Sequence, residues 1–361
     1  LYLLILVKMK NRYSRQEIFE KIGKKGQQKL LNSKVVVVGV GALGTTVCDL
    51  LARAGIGEII LIDHDVIDQT NLQRQTLFCE EDIGKPKAST AKKYLEKINS
   101  EIKIIAHDDH LNNENVTLLD SDVVVDCTDN IDTRFLINEY CKKEKINWVH
   151  GAAIRDKGTM FVFSFGLNGL NGLNDSGDLP CFKCIFPNIS QGESCEEAGV
   201  LGAVTNIIGS IQANETIKLL VGLEHEKDLL RLNLLDNNID KIKVNKNSEC
   251  SVCAGDYSCL MSAESGAEFS IESTELSNFS KFTIQKCKTK AGWSAKPKQN
   301  LKLNLDAIKQ KYETIMDTPI LLVIDCEGEI IVHNYGEILF KELKDEEKMK
   351  KIVAEIYDTG K

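Results

Sequence analysis

The run from Lys34 to Asp65, KVVVVGVGALGTTVCDLLARAGIGEIILIDHD, constrains this chain more than any other stretch. Four valines lead into Gly39-Val40-Gly41-Ala42-Leu43-Gly44. A helical pattern follows at Val47, Leu50, Leu51 and Ala54 and stops at Gly55 and Gly57. A second apolar run, residues 58–62, ends at Asp63. Strand, glycine turn, helix, strand and acid in this register predict a nucleotide-binding βαβ unit. Gly39 makes the tight turn, Gly41 lets backbone approach a phosphate, and Gly44 lets the helix pack on the strand. The helix N-terminus offers N–H groups and a positive dipole end. Asp63 is placed for a ribose hydroxyl. The unit predicts a nucleotide without saying which one.

The rest of the composition is that of a globular chain of 361 residues, 43% apolar and 27% charged. A net charge of −8, with no basic patch interleaved with aromatics, argues against nucleic acid as a partner. The opening LYLLILVK is apolar but too short to span a bilayer, and it lacks a signal peptide's basic start and small-residue cleavage site. It reads as an upstream artefact ahead of Met9, with no membrane role. Most of the twelve cysteines sit inside apolar runs, which suits a reducing cytoplasm.

Residues 12–33 read as a helical lead-in, with Ile18, Phe19 and Ile22 facing the core and Arg12 and Arg15 on a solvated face. After the βαβ unit, the polar run from Asp65 to Leu77 places Asn71, Gln73, Arg74 and Gln75 at a strand's C-terminal end, where ligands bind in doubly wound sheets. Pro86 marks a helix entrance flanked by Lys85 and Lys87. A strand at 122–126 runs into Cys127-Thr128-Asp129-Asn130, so Asp126 and Asp129 are candidates for Mg²⁺ or the phosphate side. Asp129 or Asn130 could equally cap the following helix. The triplet repeat GLNGLNGLNDSGD at 166–178 reads as a loop insertion. The long apolar helix from Val204 to Val221 is core or half of a subunit interface.

Cys181-Phe182-Lys183-Cys184 and Cys250-Ser251-Val252-Cys253 have the spacing of a tetrahedral four-cysteine zinc site, structural because no coordination position is left open. A redox pair is the alternative, but redox motifs do not normally come in two distant copies. Cys195 stands apart, beside Glu196 and Glu197, which raise a thiol pKa rather than lower it. Residues 1–265 read as the nucleotide-binding domain and Ser/Glu-rich 266–280 as a linker. Residues 281–361 read as a small α+β module of ββαββα order, with strands at 281–288, 292–297, 320–325 and 329–340 (kinked near Gly336) and helices at 305–312 and 345–357, which would suit a β-grasp-like fold.

RYSRQ, GVGALG, NLQRQTLF, GKPKA, DCTDN, GAAIR, the two CxxC pairs and EAGVLG, in that chain order from Arg12 to Gly255 except that EAGVLG lies between the pairs, resemble the ThiF/MoeB/HesA family, relatives of ubiquitin-activating enzymes. The resemblance implies a Rossmann-like, doubly wound mixed α/β sheet with a structural zinc site. It also implies adenylation, by MgATP, of the C-terminal glycine of a ubiquitin-like sulfur carrier or modifier, in molybdopterin or thiamine synthesis, tRNA thiolation or protein tagging. Among site residues it implies Asp63 on the ATP ribose and Asn71, Arg74 and Lys87 on the triphosphate. Gly39, Gly41, Gly44, Asp65, Gln75 and Asn130 line the nucleotide site, and Asp129 serves Mg²⁺. Arg15 enters the partner site of a homodimer, displacing the solvated-face reading. Cys195 aligns with a cysteine that forms a thioester or acyl-disulfide in some relatives and is dispensable in others. A sulfur donor, where one is used, comes from elsewhere. Alternatives are a family member activating a small-molecule or tRNA carboxylate, an NAD-linked oxidoreductase, and an inactive binding module. Hydride transfer needs no triphosphate clamp, so Arg74, Lys87 and Asp129 weigh against the oxidoreductase.

Overall fold

A computed structural model describes residues 11–166, 179–187, 189, 198–261, 282–287, 292–297 and 301–360. The chain's first ten residues, nearly all of the triplet repeat, Cys195 and the 266–280 linker lie outside these residues.

The elements of the first sheet follow in order. They are α1 (Ser14–Ile18), α2 (Gly23–Leu31), β1 (Lys34–Val38), α3 (Gly44–Ala54), β2 (Glu58–Ile62), α4 (Lys87–Ile98), β3 (Lys103–His107) and β4 (Val123–Asp126). Then come α5 (Ile131–Glu144), β5 (Asn147–Ile154), β6 (Lys157–Phe163), α6 (Phe182–Ile185), α7 (Gly202–Val221), β7 (Leu229–Asn233), β8 (Asn238–Ile242) and α8 (Ser258–Met261). Eight strands pair in the order β3-β2-β1-β4-β5-β6-β7-β8. The first five are parallel and the rest antiparallel, so the sheet is mixed.

The valines of β1 explain how the layers form. Side chains alternate across a strand, and Val35 and Val37 join the core under α3, α4 and α7 while Val36 and Val38 join the core under α5. All four are buried, which is why the run is continuously apolar rather than alternating. Each such burial is worth roughly 1.5–3 kcal/mol. The lead-in departs from expectation. Ile18 and Phe19 are exposed at 67% and 54%, and Tyr13 and Leu30 are buried in their stead. The five-residue α1 buries none of its own side chains, and the core contact comes from Tyr13 just before it.

A second sheet has its own core, built on Ile308, Leu322, Ile324, Val332, Phe340, Val353 and Ile356. Its elements are β9 (Phe282–Cys287), β10 (Gly292–Pro297), α9 (Leu305–Lys309), β11 (Glu313–Asp317), β12 (Leu321–Asp325), β13 (Glu329–His333), β14 (Ile338–Phe340) and α10 (Glu346–Thr359). The strands pair antiparallel throughout, in the order β11-β12-β13-β14-β10-β9. The order is therefore ββαββββα, not the ββαββα that suggested a β-grasp-like module. β11 is an added strand, and the expected single strand 329–340 is a hairpin turning at Gly336, whose φ is +95°.

Candidate functional site at the strand switch point

β1 pairs with β2 on one side and β4 on the other, so its C-terminal end is the switch point where a crevice opens. Gly39 has φ +87°, and a Cβ there would stand 2.8 Å from the Cys127 carbonyl oxygen. At Gly44 a Cβ would stand 2.0 Å from the Gly39 carbonyl oxygen. Neither position admits another residue. Gly41 is different: its nearest neighbour would be the Gln75 amide nitrogen at 3.7 Å. Backbone there is open to a ligand at the start of α3.

Asp63 closes the loop. One carboxylate oxygen accepts from Val40 N at 2.6 Å and the other from Asp65 N at 2.8 Å. A carboxylate offers about four lone pairs, so it retains capacity for a hydroxyl. Burial raises its pKa, opposed by the charge of Lys87. Lys87 is 7% exposed and its Nζ lies 2.9 Å from Asp65 Oδ2. Burial works against its charge, but Asp65 and Asp63 outweigh that and raise its pKa. Lys87 is thus a fixed cation at the crevice, and Asp129 adds to the field that holds it.

The polar run folds back over this point. Asp68 caps a short turn, Gln69–Asn71, through Thr70 N at 2.8 Å, and Asn71 Oδ1 accepts from Asp68 N at 3.3 Å. Arg74 is half-buried and donates from Nη1 to the Thr70 carbonyl at 2.8 Å. That uses one of a guanidinium's five donors. Gln75 is 3% exposed, and its buried Oε1 has no hydrogen-bond partner among the described residues. An unsatisfied buried amide beside Gly41 fits a site completed by a ligand. The later motifs converge here too: the Leu201 N–H donates to the Arg155 carbonyl, and a Cβ on Gly202 would stand 2.9 Å from the Gln73 carbonyl oxygen.

The acids after β4 separate. Asp126 is fully buried, so it is not the open ligand its strand-tip position suggested. Its carboxylate accepts from Thr128 N and Oγ1, both at 2.9 Å, and meets His150 Nδ1 at 2.7 Å and Arg134 Nε at 3.3 Å. Arg134 in turn donates to the Thr128 carbonyl. Sequence reading missed Arg134 and His150; a histidine in the apolar strand WVHGAAI was the available signal. Asp129 is exposed and makes no hydrogen bond or ion pair among the described residues. Asn130 caps α5, accepting from Asp132 N at 2.9 Å and Thr133 N at 3.1 Å.

Arg15 is exposed on α1, which packs on α2, and makes no hydrogen bond or ion pair among the described residues. Asp63, His64 and Asp65 bring three ligand atoms within 4.8 Å of one another, but their carboxylates already serve Val40, Asp65 N and Lys87.

The second centre is the cysteine knuckle. Cys181 lies 3.8 Å from Cys184 and 3.5 Å from Cys250, and Cys184 lies 3.5 Å from Cys253, sulfur to sulfur. Thiolates about 2.3 Å from a tetrahedral zinc stand about 3.8 Å apart. The four therefore could hold a zinc ion. No helix among the described residues is long and apolar enough to cross a membrane.

The chain is similar to several known proteins. Adenylyltransferase and sulfurtransferase MOCS3 of Aedes aegypti is 41% identical over 254 residues, covering 67% of this chain and 55% of that protein. The chain thus spans little more than half of that relative's length. SAMP-activating enzyme E1 of Haloferax volcanii is 36% identical over 250 residues, covering 67% of this chain and 88% of that protein. Among solved structures, E. coli MccB with ATP is similar at a TM-score of 0.57 and 26% identity, covering 67% of this chain and 74% of that one. Residues 13–252, which include the glycine loop, the polar run, the strand-tip acids and three of the four paired cysteines, match the ThiF family, and the chain belongs to it.

Proposed function

We propose that this chain is a cytoplasmic adenylyltransferase that uses MgATP to activate the C-terminal glycine of a ubiquitin-like sulfur carrier or modifier protein. The observation that carries the reading is buried Lys87, paired with half-exposed Asp65 beside Asp63 and the open Gly41 loop, together with Arg74 and the unsatisfied Gln75 amide. Fixed cations around a glycine loop suit a triphosphate, whereas hydride transfer requires none. The relatives' names, an adenylyltransferase and sulfurtransferase and an E1-type activating enzyme, support a protein carrier. MccB, a solved neighbour with a different name, keeps activation of a non-protein carboxylate, a small molecule or tRNA, as the second reading.

In this reading the carrier carboxylate oxygen bonds to the α-phosphorus as the bond to pyrophosphate breaks. Negative charge builds on the phosphoryl oxygens and the leaving group. Positioning and electrostatic stabilisation do nearly all the work. Asp63 holds the ribose, Gly41 and the α3 N-terminus cradle phosphate, and Asn71, Arg74 and Lys87 take the growing charge. Asp129, exposed and uncommitted, would hold Mg²⁺, which neutralises phosphate charge when bound. Arg15 reaches a second copy's site in a homodimer. Exposed Ile18, Phe19 and Leu201, and the groove along α7 lined by Asn206, Ile207, Ser210, Ile211 and Asn214, support such an interface. Zinc in the cysteine knuckle is structural. Cys195 carries the activated carrier only if that carrier is passed on as a thioester, and a sulfur donor would be a separate protein.

The test is ATP–pyrophosphate exchange with and without a carrier ending in Gly-Gly. Exchange only with the carrier is expected; exchange with a free small carboxylate instead would favour the second reading. Cys181→Ser should lower bound zinc and the melting temperature together, and unchanged zinc content would remove the structural-zinc assignment.

A further inference from the structure

The second sheet does not stand clear of the switch point. Its β13–β14 hairpin carries His333 and Tyr335, and these rings meet His64 and His110 of the first sheet. His64 lies edge-on to His110 at 4.8 Å and to Tyr335 at 5.2 Å between ring centroids. Tyr335 stacks on His110 at 5.3 Å and lies against His333 at 4.9 Å. Four rings from residues 64, 110, 333 and 335 thus form one cluster. His64 is the residue between Asp63 and Asp65, the two acids that hold the glycine loop and Lys87.

The hairpin side of the cluster is anchored. Tyr335 Oη donates to Glu337 at 2.9 Å, and Glu337 also accepts from Ser294 Oγ at 2.7 Å on β10 and pairs with Lys296 at 3.6 Å. Two further approaches run along the same loop. The Thr70 hydrogen bond chiefly keeps Asp68 ionised, the charge of Lys341 adds to it, and Asp68 caps the turn that presents Asn71. Met316 Sδ stands 4.0 Å from where a Cβ on Gly84 would be. The second sheet therefore touches the 64–84 segment at its beginning and comes near its capped turn and its end.

We propose that Tyr335 and His333 are positioning residues of the nucleotide site, supplied by the C-terminal module. Seated on His64 and His110, they hold the Asp63–Asp65 turn in the geometry that presents Lys87 and the glycine loop to MgATP. Seating and nucleotide binding then favour one another reciprocally. The proposal rests on the reading of this site as an ATP site and concerns neither the carrier nor the chemical step.

Full-length protein is tested by direct MgATP binding, by the ATP dependence of pyrophosphate exchange, and by amide hydrogen exchange across 333–337 with and without MgATP. Tyr335→Ala should weaken MgATP binding and raise its KM about tenfold, the size expected for losing one or two ring contacts, with kcat within about twofold. Tyr335→Phe keeps the ring and should restore both. MgATP should slow exchange at 333–337 in the wild type. Lys341→Glu reverses the charge near Asp68 and breaks the exposed Lys341–Glu329 pair; it should raise the KM about twofold without touching the core and serves if Tyr335→Ala misfolds. Wild-type MgATP affinity in Tyr335→Ala and Lys341→Glu, with unaltered exchange at the hairpin, would overturn the proposal. MgATP binding without carrier-dependent exchange would overturn the adenylation reading and leave this one standing; no MgATP binding at all would overturn both.

Discussion

The tips of β2 and β4 flank the switch point, and each carries a buried acid beside a cation, yet they are built on different terms. At β4, Asp126 accepts two bonds from Thr128 and faces both His150 and Arg134, so its capacity is spent inside the protein. At β2, Asp63 and Asp65 hold Lys87, while among the described residues Arg74 makes one of five donations and Gln75 Oε1 accepts none. A closed network fixes backbone. A half-satisfied one, costly in isolation, leaves donors and an acceptor for something to complete. In the proposed site β2 is then the ligand side and β4 its scaffold, with Asp129 exposed at the end of the β4 run.

Four changes press on this contrast. The largest effect is expected at the open side. Arg74→Ala or Asp129→Ala should cut pyrophosphate exchange by ~10³, comparable to loss of an arginine-finger contact, with the melting temperature nearly unchanged. Retained exchange would break the assignment. Next, Asp126→Ala should remove one partner of a buried ionic network and cost ~3–5 kcal/mol in stability, read by denaturant unfolding. A stable but inactive Asp126→Ala would instead make Asp126 part of the site.

Acidification should act on the closed side in two stages. Burial lowers the His150 pKa despite its bond to Asp126, so the folded protein keeps it neutral. Stability then declines as pH falls below the unfolded value of about 6.5. Asp126 is held low: burial is outweighed by Arg134 and the His150 bond. Its contribution is present above the unfolded value of about 3.9 and is lost below it. The fall in melting temperature from pH 7 to pH 5 should therefore be smaller in His150→Asn than in the wild type. The smallest effect is at Asn130. Asn130→Ala should cost ~1 kcal/mol through loss of the α5 cap, and Asn130→Ser should recover it with ATP KM unchanged. A KM raised tenfold in Asn130→Ser would put the amide on the nucleotide.

The elements legible in the chain were those with buried signatures. β10 and β12 stand where their apolar pattern placed them, as do α4 and the whole βαβ unit. The two strands that escaped notice, β8 and β11, are edge strands of their sheets and largely exposed. A strand that buries neither face leaves no hydrophobic periodicity to read.

The sequence by itself determined the glycine turn, the acid at the end of β2 and the paired cysteine spacing. Each depends on neighbours a few residues apart, or on a spacing that metal chemistry recognises at any distance. Only the tertiary structure decided that Asp126 is sealed while Asp129 is open, because burial there depends on α5 and β5 arriving with Arg134 and His150. It alone brought His64 and His110 against His333 and Tyr335, since no local pattern links rings more than two hundred residues apart. Local propensity writes the elements; which charged groups are left unsatisfied is a property of how those elements pack.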